Sequence, residues 1–251
     1  MKTSACDRPC YKHHRTAISE EKLTLQRVSL ILFDMDGVLA DVNSSWQYVH
    51  QQFNSSNEVS VKAYMDGAIS DLEFIRRDVN LWKTNGKLIL ASQLEEILSE
   101  IPMMPGARML FSNLEEKKIS TVIVSAGLDI LAYRIARLLS IPYVYANGLS
   151  IDEHDRLSGE GILRVKLMYK DEAVQNIAQK LSIPADEMIA VGNSCFDIPM
   201  LSQCGLGIAF NPSDDCIREY ADEVIEGKDL RSLLPIIEKH IESTMIHKEH
   251  D

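Results

Sequence analysis

Short apolar runs punctuate the chain, and most of them stop at a small or acidic residue. Val28–Phe33 ends against Asp34, and similar runs follow at Thr121–Val124, Met188–Val191 and Leu206–Phe210. Each is bounded by Gly, Asp, Asn or Ser. Continuous apolar character, rather than strict alternation, predicts strands buried on both faces and therefore parallel. Between the runs, apolar positions recur at helical spacing. Leu128, Leu131, Ile135 and Leu138 form one stripe, and Val174, Ile177, Ala178 and Leu181 form another. Strands alternating with amphipathic helices predict an α/β fold: a doubly wound, Rossmann-like parallel sheet with helices on both faces.

One stretch breaks that rhythm. Residues 44–118 read as helical throughout, with Trp46, Val49 and Phe53 on one face, Leu72, Ile75, Val79 and Trp82 on a second, and Leu90, Leu94, Ile97 and Leu98 on a third. The stretch is too long for a simple crossover and predicts a helical domain inserted after the first strand. Residues 29–43 and 119–251 then form the core domain, and residues 1–28 a poorly ordered extension. Leu149, Ile151 and Leu157 around the polar Asp152–Arg156 predict a short β-hairpin.

Composition narrows the possible partners. The chain has 251 residues, 45% of them hydrophobic and 25% charged, which suits a globular protein. With 26 Lys+Arg against 37 Asp+Glu the net charge is −11, so the electrostatic footprint for nucleic acid or anionic lipid is missing. No apolar run approaches the roughly 20 residues that span a bilayer. Five cysteines at irregular spacing imply no disulfide framework, and a cytoplasmic protein, monomer or homodimer, is expected. Cys6, Cys10, His13 and His14 are metal-binding residue types, but they read more simply as part of the polar extension.

Ligands in open α/β sheets bind outside the carboxyl ends of the strands. Asp34 and Asp36 follow the first strand, Ser125, Ala126 and Gly127 the second, and Asn193 and Asp197 the Met188 run. Lys170 opens the helix before that run. This set suits phosphoryl transfer. Asp34 can attack phosphorus and become an aspartyl-phosphate, and Asp36 can protonate the leaving oxygen and then activate water. Ser125 and the adjacent backbone N–H groups can hold phosphoryl oxygens while Lys170 neutralises developing charge. Mg²⁺ is the fitting cation, because it needs only one or two carboxylates beside phosphate and water. Singly, all but the Asp34–Asp36 motif read more simply as helix caps or a solvated helix face; their order at successive strand ends is what points to chemistry.

Asp-Met-Asp-Gly-Val-Leu at 34–39, Ser125, Lys170 and Gly-Asn-Ser-Cys-Phe-Asp at 192–197 resemble the four motifs of the haloacid dehalogenase superfamily of phosphohydrolases. Val-Ser-Ala-Gly at 124–127, Ala-Asn-Gly-Leu at 146–149 and Asp-Leu-Arg at 229–231 are similar to its phosphoserine-phosphatase-like branch. The resemblance implies that the insert is a cap closing over a small phosphorylated metabolite. It also implies that Asp34 is the nucleophile and Asp36 the acid/base, with Mg²⁺ held by Asp34, the Asp36 carbonyl and residue 193; Asp197 is a further candidate, either for the metal, directly or through water, or for orienting Lys170.

Four positions depart from that pattern. Residue 193 is Asn where the family usually has Asp, and Ala126 replaces a glycine. Asn43 stands where an acid grips the amine of phosphoserine. In the cap, alignment places Asp78 where an arginine holds the substrate carboxylate, with Arg76 and Arg77 adjacent as candidate replacements. Trp46, Tyr48 and Phe53 are candidates either to line an apolar pocket or to pack the cap. The expected reaction is therefore Mg²⁺-dependent hydrolysis of a small phosphomonoester. Phosphoserine hydrolysis, phosphotransfer and non-catalytic phosphate binding stand as alternatives. A signalling receiver shares the Asp, Ser and Lys order, but is about half this length and lacks the insert.

Overall fold

The computed structural model describes residues 22–248, so most of the expected extension, with its Cys6, Cys10, His13 and His14, lies outside the described residues. Residues 22–29 are irregular but tied to the body: Gln26 N–H donates to the Asp186 carbonyl and Ser29 N–H to that of Glu187. The apolar runs form strands, at β1 (Leu30–Phe33), β4 (Ser120–Leu128), β7 (Met188–Gly192) and β8 (Leu206–Phe210). Strands β5 (Tyr143–Ile151), β6 (Leu157–Ile162) and β9 (Glu223–Ile225) complete a seven-stranded sheet of order β6-β5-β4-β1-β7-β8-β9. All neighbours pair in parallel except β5 and β6, which make the expected hairpin.

Side chains of a strand alternate between faces, and β1 shows it. Ile31 and Phe33 join an apolar cluster with Leu110, Phe111, Leu131, Ile135 and Ile237. These come from α5 (Ala107–Glu116), α6 (Asp129–Leu139) and α10 (Leu234–Lys248). Leu30 and Leu32 join a second cluster with Val174, Ile177, Leu201 and Ile217, from α7 (Lys170–Leu181), α8 (Ile198–Gln203) and α9 (Asp215–Tyr220). The fold is thus the expected three-layer α/β arrangement, with an apolar cluster on each face of the sheet.

The 44–118 stretch is not helical throughout. It holds α1 (Ser45–Gln52), α2 (Glu58–Met65), α3 (Asp71–Val79) and α4 (Ala91–Ser99), but an antiparallel ribbon of β2 (Lys83–Thr84) and β3 (Lys87–Leu88) interrupts them. Asn85 and Gly86, both at positive φ, make the ribbon's turn, the conformation two-residue hairpins require. Helix α3 lies against β6 so closely that a Cβ on Gly161 would stand 2.5 Å from Ile75 Cγ2. The last helix of the stretch, α5, packs on the sheet, with Phe111 ring to ring against Phe33 at 5.0 Å. Among the described residues no helix is long and apolar enough to cross a membrane.

The α6 stripe differs in one residue from its sequence reading. Leu139, not Leu138, faces the core, and Leu138 is 40% exposed. The buried positions 128, 131, 135 and 139 step by three or four, as a 3.6-residue turn demands. Ile135→Ala should therefore cost about 2–5 kcal/mol of unfolding free energy. Leu138→Ala should stay within about 0.5 kcal/mol. Equal losses in urea unfolding would show the helix to be rotated from this register.

Candidate active site

The candidate residues gather at the carboxyl ends of β1, β4 and β7. Asp34 follows β1 directly, its N–H donating to the Val191 carbonyl of β7 at 2.9 Å. The next turn is tight: Gly37 sits at φ +79°, and a Cβ there would meet Asn193 Nδ2 at 2.0 Å. This glycine lets the loop after β1 touch the loop after β7. The Lys170 ammonium, 2% exposed, lies between two carboxylates, 2.8 Å from Asp34 Oδ1 and 2.6 Å from Asp197 Oδ1. The second oxygen of Asp197 is occupied as well, accepting from the N–H groups of Asn193 and Ser194 at 2.9 and 3.0 Å. Asp197 thus serves as the anchor of Lys170. Both oxygens are engaged, so of the roles expected of it, at the metal or as orienter of Lys170, the contacts favour the second.

Asp36 is held differently. Its Oδ2 accepts from both the N–H and the hydroxyl of Ser45, each at 2.8 Å, while Oδ1 is buried with no partner among the described residues. Ser45 is the first residue of α1, so the carboxylate caps the positive end of that helix. The Ser45 hydroxyl also accepts from Leu128 N–H at 3.2 Å, which ties the Asp36 loop to the end of β4. Ser125 is buried, and its hydroxyl accepts from Gly127 N–H at 3.1 Å. Asn147 holds the neighbouring chain: its Nδ2 donates to the carbonyls of Ala126 and Val165 at 3.2 and 2.8 Å, and its Oδ1 accepts from the N–H groups of Arg164 and Val165. The Ala126 carbonyl accepts from Trp46 Nε1 too, at 3.1 Å.

Three carboxylates share one ammonium here. Burial, and then the negative charge of Asp197, push the Asp34 carboxyl from the usual 3.8 up to about 7, although Lys170 pulls the other way. Burial also raises Asp36, against the two hydrogen bonds from Ser45. For Lys170 burial opposes the charge, but the carboxylates of Asp197 and Asp34 outweigh it and hold the ammonium above its ordinary range. The excess negative charge suits a divalent cation.

These residues open onto a cavity of about 800 Å³. Of the candidate residues, Asp34, Asp36, Asn43, Ser125, Ala126, Gly127, Lys170 and Asn193 line it. Arg76 and Arg77 do not. Both are exposed, Arg76 bonded to Glu160 and Glu73 and Arg77 to Glu73. Ile75, Asp78 and Val79 turn inward instead, and Asp78 reaches the cavity wall. Of the aromatic candidates Trp46 lines the cavity, whereas Tyr48 and Phe53 pack against the core. Ser45 and Asn147 carry much of the site's geometry, yet they had no assigned part in the sequence reading. Only the Ala-Asn-Gly-Leu string pointed at Asn147.

Comparison with known proteins agrees with the geometry. The haloacid dehalogenase-like hydrolase family model matches residues 31–202. A phosphoserine phosphatase of Methanocaldococcus jannaschii is 30% identical over 84% of this chain and 99% of its own. One from Idiomarina loihiensis is also 30% identical, over 82% of this chain and 91% of its own. A solved structure of a phospho-aspartyl intermediate analogue of phosphoserine phosphatase is 29% identical, with a TM-score of 0.70 over 84% of this chain and 99% of that one. The matched segment carries Asp34, Asp36, Ser125, Lys170 and Asn193 in order, and the chain belongs to the haloacid dehalogenase-like hydrolases, in their phosphoserine phosphatase branch.

Proposed function

We propose that the protein hydrolyses a small phosphomonoester through an aspartyl-phosphate on Asp34, with Mg²⁺ as cofactor. The observation that carries this reading is the placement of Asp34: one carboxylate oxygen is fixed by a buried ammonium, and the side chain fronts the cavity. Asp34 attacks phosphorus and the substrate's P–O bond breaks. Asp36 gives its proton to the departing alcohol oxygen. Burial favours that protonated form, and Oδ1 is the oxygen left to carry the proton, since Oδ2 accepts twice from Ser45. Asp36 then takes a proton from water, the water attacks the aspartyl-phosphate, and phosphate leaves with Asp34 restored. Lys170 and the Ser125 hydroxyl balance and orient the phosphoryl oxygens.

The donor set fits Mg²⁺, which commonly keeps several waters and takes one or two carboxylates. The Asp34 carboxylate, the Asp36 backbone carbonyl and the Asn193 amide oxygen would hold it, and it would offset phosphate charge when bound. Among the described residues no group of three His, Cys, Asp or Glu forms a cage, and Asn193 brings no charge. Affinity for the metal is accordingly modest. The relatives' names make phosphoserine the first substrate to test. Among the described residues no arginine lines the cavity, which favours a leaving group without a carboxylate.

Turnover of p-nitrophenyl phosphate should need Mg²⁺ and fall at least about a thousandfold in Asp34→Asn; full activity of that variant, or of wild type in excess EDTA, would contradict the mechanism. The same variant tests the electrostatics. A carboxyl raised in the folded state binds its proton more tightly there than in the unfolded chain. Its stabilising contribution is therefore present near pH 4 and lost as pH rises through about 7. Metal-free Asp34→Asn should melt above metal-free wild type at pH 8, the gap shrinking toward pH 4; a gap that widens on acidification would reverse the sign. Asn193→Asp adds the missing charge and should lower the Mg²⁺ concentration for half-maximal rate. An unchanged or higher requirement would remove residue 193 from the metal site.

A further inference from the structure

The cap-side wall of the cavity carries negative charge and, among the described residues, no cation. Asp78 is 2% exposed and sits in that wall. Its Oδ2 accepts from Asn57 Nδ2 at 2.7 Å and faces His50 Nε2 at 3.2 Å, whereas Oδ1 is buried with no partner among the described residues. The orientation of His50 is fixed by Trp82, whose indole N–H lies 3.0 Å from His50 Nδ1. An indole nitrogen only donates, so Nδ1 is an acceptor and the neutral ring carries its proton on Nε2, toward Asp78. Asn57 holds the carboxylate by a hydrogen bond, His50 lies against it with Nε2 buried and without a hydrogen bond among the described residues, and one carboxylate oxygen is left over. Asp71 lines the same cavity and accepts from the Tyr64 hydroxyl and Leu167 N–H. Among the described residues Lys170 is the one cationic side chain of the lining, and it is committed to Asp34 and Asp197.

We propose that Asp78 is a specificity-determining residue and that the preferred substrate is the phosphomonoester of an amino alcohol, with an ammonium and no carboxylate. The proposal rests on the phosphomonoesterase reading above. A carboxylate on the leaving group would be desolvated beside Asp78 and Asp71 without a counter-charge, which buried ions do not tolerate. An ammonium enters a wall already negative, as a donor for the acceptor that the protein leaves unpaired. Asn43, also in the lining, is neutral and opposes neither group. A merely structural Asp78, organising Asn57 and His50, would affect all substrates alike, so the readout is a ratio.

The experiment measures kcat/KM for O-phosphoethanolamine, L-phosphoserine and p-nitrophenyl phosphate with Mg²⁺, for wild type and Asp78→Asn. Wild type should favour phosphoethanolamine over phosphoserine by at least about tenfold, the order expected for one charge-assisted hydrogen bond made or missing. Asp78→Asn should shrink that ratio by a similar factor. A wild type that prefers phosphoserine overturns the proposal without any variant, and so does a ratio indifferent to Asp78→Asn. In either case turnover of p-nitrophenyl phosphate leaves the phosphomonoesterase reading standing. If wild type hydrolyses none of the three, that reading and this proposal fall together.

Discussion

A single buried ammonium holds the site together. Lys170 sits between Asp34 and Asp197 with almost no exposure, and the three come from different parts of the sheet edge. Burying one charge costs several kcal/mol, and two close carboxylates with their hydrogen bonds are what make it tolerable. Removing the ammonium would leave Asp34 and Asp197 facing each other in a dry setting. The geometry of β1, β7 and the start of α7 is therefore fixed by the same contact that fixes the Asp34 side chain. Asp197 is in turn locked by the backbone of the loop after β7, so the constraint extends to Asn193 and, through Gly37, to the loop after β1.

That arrangement leaves the site short of positive charge. Burial, and for Asp34 then the negative charge of Asp197, make Asp34 and Asp36 resist ionisation, and the two consequences are separate. For Asp36, held by the start of α1, a retained proton suits the proposed mechanism, which needs an acid at the leaving oxygen. For Asp34 it is a cost, since the carboxylate is the attacking form in the proposed mechanism. A divalent cation held with the help of Asp34 would favour that form. Charge balance, rather than any one ligand, is the physical reason to expect a metal here. Farther out, Asp71 and Asp78 extend the negative surface of the cavity, in whose lining Lys170 is the one cationic side chain among the described residues.

Much of this was legible in the sequence because parallel strands advertise themselves. Apolar runs that stop at Asp34, Ser125 and Asn193 located the sheet edge, and strand ends are where chemistry collects. Less regular pieces escaped. The first half of β5, beginning at Tyr143, and the short β9 lack a strong apolar run, and the β2–β3 ribbon was absorbed into a helical reading. Arg76 and Arg77 are candidates for the substrate by sequence because they adjoin position 78. Yet Ile75 and Val79, buried four residues apart, already place 78 on the inner face and turn 76 and 77 outward. Ser45, Asn147 and His50 act through partners such as Asp36, Val165 and Asp78, 9 to 28 positions away. Such pairings have no local period and became visible only with the fold.

The central claim is that Asp34 forms a covalent bond to phosphorus. It is tested most directly by mixing the Asp36→Asn variant with phosphomonoester and Mg²⁺, quenching in acid and reading the peptide masses. The account predicts one added phosphoryl group on the peptide containing Asp34, accumulating because water is then poorly activated. Substrate consumed at wild-type rate with no phosphoryl group on that peptide would contradict it.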